Sequence, residues 1–173
     1  MSILGKVALI TGGSRGIGQA IMLKLATAGA YVIGTSTSEA GAQAITQILK
    51  DKNLNGVGVT LNVTDSGSLD ALLKYLKEQD QTPLILVNNA GISRDNLMLR
   101  ISEEDWLSVL HTNLTSVYRL SKALLRPMMK AYWGRIITIG SVVGSTGNPG
   151  QVNYCATKAG VVGFSKALAQ EIG

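Results

Sequence analysis

The segment Thr11-Gly12-Gly13-Ser14-Arg15-Gly16-Ile17-Gly18 restricts the fold more than any other. It follows a short apolar run, Val7-Ala8-Leu9-Ile10, and leads into Ile17, Ile21, Leu25 and Ala28 at helical spacing. A continuous apolar run of this length reads as a strand buried on both faces. Three glycines between a strand and a helix allow a tight turn at Gly12, close approach of a ligand at Gly16 and close helix–strand packing at Gly18. Backbone N–H groups at such a turn face an anion, so the unit reads as a cradle for a dinucleotide pyrophosphate. The spacing T-G-x-x-x-G-x-G puts more residues in the loop than the commoner G-x-G-x-x-G.

The same alternation continues along the chain. Apolar runs at Tyr31-Val32-Ile33-Gly34, residues 57–61 and Leu84-Ile85-Leu86-Val87 read as further strands. Between them, Ser38 caps a helix to about Lys50, and Asp65 or Ser66 opens another containing Leu69, Leu72, Leu73 and Leu76. Ser102-Glu103-Glu104-Asp105 starts a long helix reaching about Tyr132, with Pro127 expected to kink or reset its end. Ile136-Ile137-Thr138-Ile139 is the fifth strand, and the helix with Tyr154 is the last element. Strands that alternate with helices imply an α/β fold, a Rossmann-like doubly wound parallel sheet with right-handed crossovers. One domain over residues 1–173 is expected.

Composition narrows the function classes. Hydrophobic residues make up 46% and charged residues 16%, which argues against disorder. The net charge is +5, but Lys and Arg are scattered singly, without the basic run that would mark a nucleic-acid binder. A single Cys excludes an internal disulfide, and Cys155 and His111 have no companions for a metal site. No apolar run approaches the ~18 residues of a membrane span, and the N-terminus enters a strand at once, which reads as a cytoplasmic protein.

The fifth strand and the segment after it carry reactive groups. Ser141 lies just past the strand, where α/β sheets place their sites. After a turn through Gly147, Pro149 and Gly150 comes a helix with Tyr154 and Lys158, four apart and so on one face. A phenol near an ammonium is poised to give or take a proton, because the cation favours the phenolate. The second strand ends Gly34-Thr35-Ser36-Thr37, without the acid that binds an adenosine ribose 2′-OH in many NAD sites. Arg15, assisted by Thr37, can meet a 2′-phosphate instead, which selects NADP(H).

Together these motifs resemble the short-chain dehydrogenase/reductase family over the whole chain. Asn88-Asn89-Ala90-Gly91 is similar to its N-N-A-G, and Tyr154-Cys155-Ala156-Thr157-Lys158 to its Y-x-x-x-K. Within the family the chain is most similar to the 3-oxoacyl carrier-protein reductases. Asn62-Val63-Thr64-Asp65, residues 91–96, Gly134-Arg135-Ile136-Ile137 and Gly140-Ser141-Val142-Val143-Gly144 carry that likeness. The resemblance implies a catalytic tetrad of Asn113, Ser141, Tyr154 and Lys158. It implies that Asn62, Val63 and Asp65 border an adenine and that Asn89, Ala90 and Gly91 line the cofactor cleft. Gly12, Ser14, Arg15 and Thr37 would hold the adenosine ribose and its phosphate, with Gly16, Ile17 and Gly18 completing the glycine loop. Tyr154 and Lys158 would also face the cofactor, and Asn113 would hold a water leading to Lys158.

The implied reaction is NADPH-dependent reduction of a 3-oxoacyl thioester, bound to acyl carrier protein or CoA, in fatty-acid synthesis by a homotetramer. Before Gly134, where related reductases carry basic residues, this chain has one cation, Lys130, and Arg119, Lys122 and Arg126 on the same helix would compensate toward an acidic carrier. Reduction of another ketone, sugar or quinone is a second reading, and a non-catalytic cofactor-binding or assembly fragment a third. Family members continue past the Tyr154 helix through another strand, a helical segment and a last strand. The expected fold is therefore truncated after the catalytic helix, with the fifth strand left at an edge.

Overall fold

The computed structural model describes residues 2–173. Two compact units make up the chain. The residues up to Ala90 together with Leu120–Ile137 form the first, and Gly91–Arg119 with Thr138–Gly173 form the second.

The first unit contains a parallel sheet. Its strands are β1 (Val7–Ile10), β2 (Tyr31–Ser36), β3 (Gly56–Thr60), β4 (Pro83–Asn88) and β5 (Arg135–Thr138), in the order β3-β2-β1-β4-β5. β1 pairs with both β2 and β4, so the strand order reverses beside it. That reversal opens a crevice at the carboxyl ends of β1 and β4, where open α/β sheets bind ligands. Helices α1 (Gly16–Thr27), α2 (Glu39–Asp51) and α3 (Ser66–Glu78) connect the first four strands.

Alternation along the strands divides the core between two faces. Leu9, Ile33 and Leu86 pack with Leu72 and Leu76 of α3 and with Leu120, Leu124 and Met128. A side chain at Gly34, on the opposite face from Ile33, would press on Met22 of α1 and Ile45 of α2. Ser38 caps α2 by accepting from the Gly41 N–H (3.2 Å), and Asp65 caps α3 by accepting from the Gly67 N–H (2.8 Å). Trp133, just before β5, has two cations over its ring, Lys6 Nζ at 4.9 Å and Arg135 Cζ at 5.1 Å from the ring centre.

Helical spacing identifies α1 but not its buried stripe. Gly18, Met22 and Ala26 are buried, whereas Ile17 is 62% exposed. Small residues and a flexible Met face the sheet because the glycine loop holds α1 too close for branched side chains.

The expected long helix is present in three pieces: α4 (Glu103–Leu110), a π-helical turn (His111–Thr115) and α5 (Ser116–Lys130). Ser102 caps α4 by accepting from the Asp105 N–H at 3.1 Å. α5 runs through Pro127 and ends at Lys130. The second unit adds α6 (Val143–Thr146) and α7 (Val152–Ile172). Gly147 and Gly150, in the turn between them, have φ of 70° and 79° and so use the left-handed region that glycine favours. No helix among the described residues is long and apolar enough to cross a membrane.

Candidate functional site

The glycine loop of the first unit joins β1 to α1. Gly12 and Gly16 have φ of +67° and +57°, and the position a Cβ would take on Gly16 is open space. A Cβ on Gly18 would overlap the Gly12 carbonyl oxygen and Asn89 Nδ2. The start of α1 carries neither a side-chain cap nor an acidic residue in its first turn. Its N–H groups and positive dipole end are therefore left to an anion. Arg15, Gly16 and Ile17 are exposed beside it. The loop thus fits a pyrophosphate.

Asn88-Asn89-Ala90 braces this loop. Thr11 Oγ1 accepts from the N–H groups of Asn89 (3.0 Å) and Ala90 (2.9 Å). Asn89 Nδ2 donates to the carbonyls of Thr11 (2.9 Å) and Gly12 (3.1 Å). Asn88 is buried, and its Nδ2 donates to Ser121 Oγ at 3.4 Å. Thr11 was not among the candidates. Its hydroxyl ties the ends of β1 and β4 together, a role that no local pattern announces.

At the end of β2, Thr35 supports the loop from the other side, with the Gly13 N–H donating to its carbonyl at 2.8 Å. Thr37 is exposed. Glu39 is the first acid beyond this strand. Its carboxylate accepts from Thr60 Oγ1 (3.0 Å) and Gln43 Nε2 (3.3 Å). Asn62 Oδ1 accepts from the Thr64 N–H at 3.1 Å, and Asp65 serves as the α3 cap. Val63 is half-buried.

The second unit brings Asn113, Ser141, Tyr154 and Lys158 into a region built around α7. Lys158 is buried, and its Nζ donates to the Ile139 carbonyl just after β5 (2.6 Å). The same Nζ lies 5.6 Å from the centre of the Tyr154 ring. A Cβ on Gly144 would come within 2.8 Å of the Lys158 carbonyl carbon, so α6 lies directly against the α7 backbone. That contact fixes the loop with Ser141, whose carbonyl accepts from the Gly144 N–H at 3.1 Å. Asn113 sits at the centre of the π-helical turn. Its Oδ1 accepts from the Ile92 N–H and its Nδ2 donates to the Ile92 carbonyl, both at 2.8 Å. A π-turn inserts an extra residue and re-aims its neighbours, and such turns cluster at functional sites. Gly91 begins this unit.

Two further residues complete the arrangement. Thr157, fully buried, donates to the Tyr154 carbonyl (2.8 Å) and accepts from Asn113 Nδ2 (3.4 Å). Asn153 bonds the Tyr154 N–H (2.7 Å). A mid-helix Thr and an Asn at a helix start are the only sequence signals for them. Among the described residues no group of three or more His, Cys, Asp or Glu could hold a metal ion.

Burial pushes the Lys158 ammonium below its ordinary pKa, because desolvation disfavours the charged form. The unfolded chain then binds this proton more tightly than the folded one. Stability rises with pH from the lowered folded value to the ordinary lysine value, and is lost as pH falls through that window. Lys158→Met removes this dependence. Thermal unfolding of the two proteins should show wild type gaining on the variant as pH rises toward the ordinary lysine range, about 10. A pH-independent difference would contradict the assignment of burial as the cause.

The short chain dehydrogenase family profile matches residues 6–173. The 3-oxoacyl-[acyl-carrier-protein] reductase FabG of Haemophilus influenzae is 62% identical over 168 residues, covering 97% of this chain and 68% of that protein. Its namesake from Pseudomonas aeruginosa is 57% identical over 173 residues, covering 100% of this chain and 70% of that one. A crystal structure from Agrobacterium tumefaciens, provisionally assigned as a gluconate dehydrogenase, superposes with a TM-score of 0.95 at 30% identity. It covers 98% of this chain and 67% of that one. The chain belongs to the short-chain dehydrogenase family of oxidoreductases, which act on CH–OH and C=O groups.

Proposed function

We propose that this chain reduces the ketone of a 3-oxoacyl thioester, carried on acyl carrier protein or CoA, with NADPH as reductant. The observation that carries the chemistry is the pairing of Tyr154 with buried Lys158 on one face of α7. The substrate class rests on 57–62% identity to proteins named as 3-oxoacyl-[acyl-carrier-protein] reductases.

Gly12, Ser14, Gly16, Ile17 and Gly18 would hold the pyrophosphate region, with Asn62, Val63 and Asp65 toward the adenine. Asn89, Ala90 and Gly91 would line the cofactor's path, with Lys158 on its ribose. When bound, NADPH supplies the hydride. Tyr154 gives its phenolic proton to the carbonyl oxygen. The Lys158 ammonium stabilises the phenolate left behind. The Ser141 hydroxyl donates to the same carbonyl oxygen and stabilises negative charge developing there. Asn113 orders the turn beside Lys158 through Ile92 and Thr157.

NADPH is favoured over NADH by exposed Arg15 in the glycine loop, together with a β2 end, Gly34-Thr35-Ser36-Thr37, that carries no acid. Titration should show NADPH binding at least about tenfold tighter than NADH, and Arg15→Ala should remove most of that difference, as expected for one charge-assisted contact to phosphate. Equal or tighter binding of NADH sinks the cofactor assignment.

The likeness to an assigned gluconate dehydrogenase favours a second reading, a hydroxy acid or sugar substrate. Absorbance at 340 nm distinguishes the two. Acetoacetyl-CoA should be reduced faster than a panel of free ketones and keto acids. Preference for a keto acid selects the second reading, and NADPH binding without any turnover marks a cofactor-binding role.

A further inference from the structure

We infer that Asn153 is a positioning residue for Tyr154, fixing the turn that carries the phenol to the loop after β4; this rests on the carbonyl-reducing reading above. α7 begins at Val152, and Gln151 before it makes no capping bond with its side chain. The first N–H groups of the helix would then lack partners. Asn153 supplies one from inside the first turn. Its Oδ1 accepts from the Tyr154 N–H at 2.7 Å, and its Nδ2 donates to the Arg94 carbonyl at 2.9 Å. Both ends of the carboxamide are engaged, and the residue is 0% exposed. A buried amide is costly unless bonded, and Asn is a poor helix former, so an aliphatic residue would serve simple packing better.

The loop it grips is held on either side. The Asn96 N–H donates to the Gly150 carbonyl at 2.9 Å, and Gln151 Nε2 donates to Asp95 Oδ2 at 2.8 Å. Asn113 holds Ile92 on the same loop by two bonds. Asn153 and Asn113 therefore grip one short segment from two helices. Each also reaches the Tyr154 turn, Asn153 through the Tyr154 N–H and Asn113 through Thr157, which bonds the Tyr154 carbonyl. Small displacements of an acid–base group can lower turnover on the order of 10²-fold.

The test compares wild type with Asn153→Ala, Asn153→Asp and Gln151→Ala, which removes two exposed bonds, one to Asp95 of the same loop and one from Asn148. Asn153→Ala should lower kcat about 10- to 100-fold with the KM for NADPH unchanged, while Gln151→Ala stays within about threefold of wild type. In Asn153→Asp only the protonated carboxyl can donate to the Arg94 carbonyl while accepting from the Tyr154 N–H. Its kcat relative to wild type should rise as pH falls from about 8 to about 5.5, since burial raises a carboxyl pKa. Arg94, Asp95, Asp105, Tyr154 and Lys158 are present in both proteins, so their own titrations divide out of that ratio and only their coupling to the new carboxyl remains. If the Ala variant does not fold, the Asp profile decides.

A kcat for Asn153→Ala near wild type, a loss matched by Gln151→Ala, or a flat Asp ratio overturns the inference. Amide hydrogen exchange separates it from the reading it rests on. If wild type shows no turnover, carbonyl reduction fails. Faster exchange at Tyr154 and residues 94–96 in Asn153→Ala still upholds the positioning, and unchanged exchange overturns it.

Discussion

Tyr154→Phe should lower carbonyl reduction by about 10²- to 10⁴-fold while NADPH binding persists, the range expected for loss of a positioned general acid. The substitution removes one oxygen and keeps the ring. Tyr154 is half-buried, so little packing is disturbed. The backbone bonds that hold it, from its N–H to Asn153 and from Thr157 to its carbonyl, do not involve the phenol. Lys158 would keep its bond to the Ile139 carbonyl. Loss of activity with unchanged unfolding temperature and unchanged NADPH affinity would therefore report the proton and nothing else. Turnover within about threefold of wild type removes Tyr154 as the donor.

The alternation of strands and helices was legible because each strand is a short apolar run closed by Gly, Thr or Asn. Both periodicities are then visible in one chain. The capping residues Ser38 and Ser102 are equally readable, and Asp65 is one of two candidates beside Ser66, since their chemistry is local. What was hidden depends on neighbours distant in sequence. The buried stripe of α1 runs one residue away from the strongest apolar pattern, because Gly18 sets how closely the helix meets the loop. The π-turn at Asn113 has no periodic signature, and the residue Asn113 bonds there, Ile92, lies twenty-one residues earlier.

The candidate residues divide in the same way. Tyr154, Lys158 and the glycines stand out because few other residue types can do what they do. Thr11, Asn153 and Thr157 act through ordinary hydrogen bonds to backbone groups, and only the folded arrangement shows which groups those are. The glycine loop shows how much such bonds can depend on a single missing side chain.

Gly18→Ala should lower the unfolding temperature by about 5–15 °C and weaken NADPH binding by more than about tenfold. The added Cβ would overlap the Gly12 carbonyl oxygen and Asn89 Nδ2. The first is backbone and cannot swing away. The second holds the Thr11 and Gly12 carbonyls, so moving it undoes two bonds. Overpacking costs about 1–3 kcal/mol, and each lost bond about 0.5–1.5 kcal/mol. In a chain of this size each kcal/mol lowers the midpoint by about 2–4 °C. Gly16→Ala is the informative partner. Nothing lies within 4 Å of its Cβ position, and its φ of +57° adds only about 1–2 kcal/mol of backbone strain. That Cβ would stand where an anion approaches the start of α1. Gly16→Ala should therefore lose NADPH affinity with a midpoint drop of about 2–8 °C, smaller than that of Gly18→Ala, which loses both. Equal effects of the two in thermal unfolding and NADPH titration would mean that Gly18 does not hold the loop in register with Asn89.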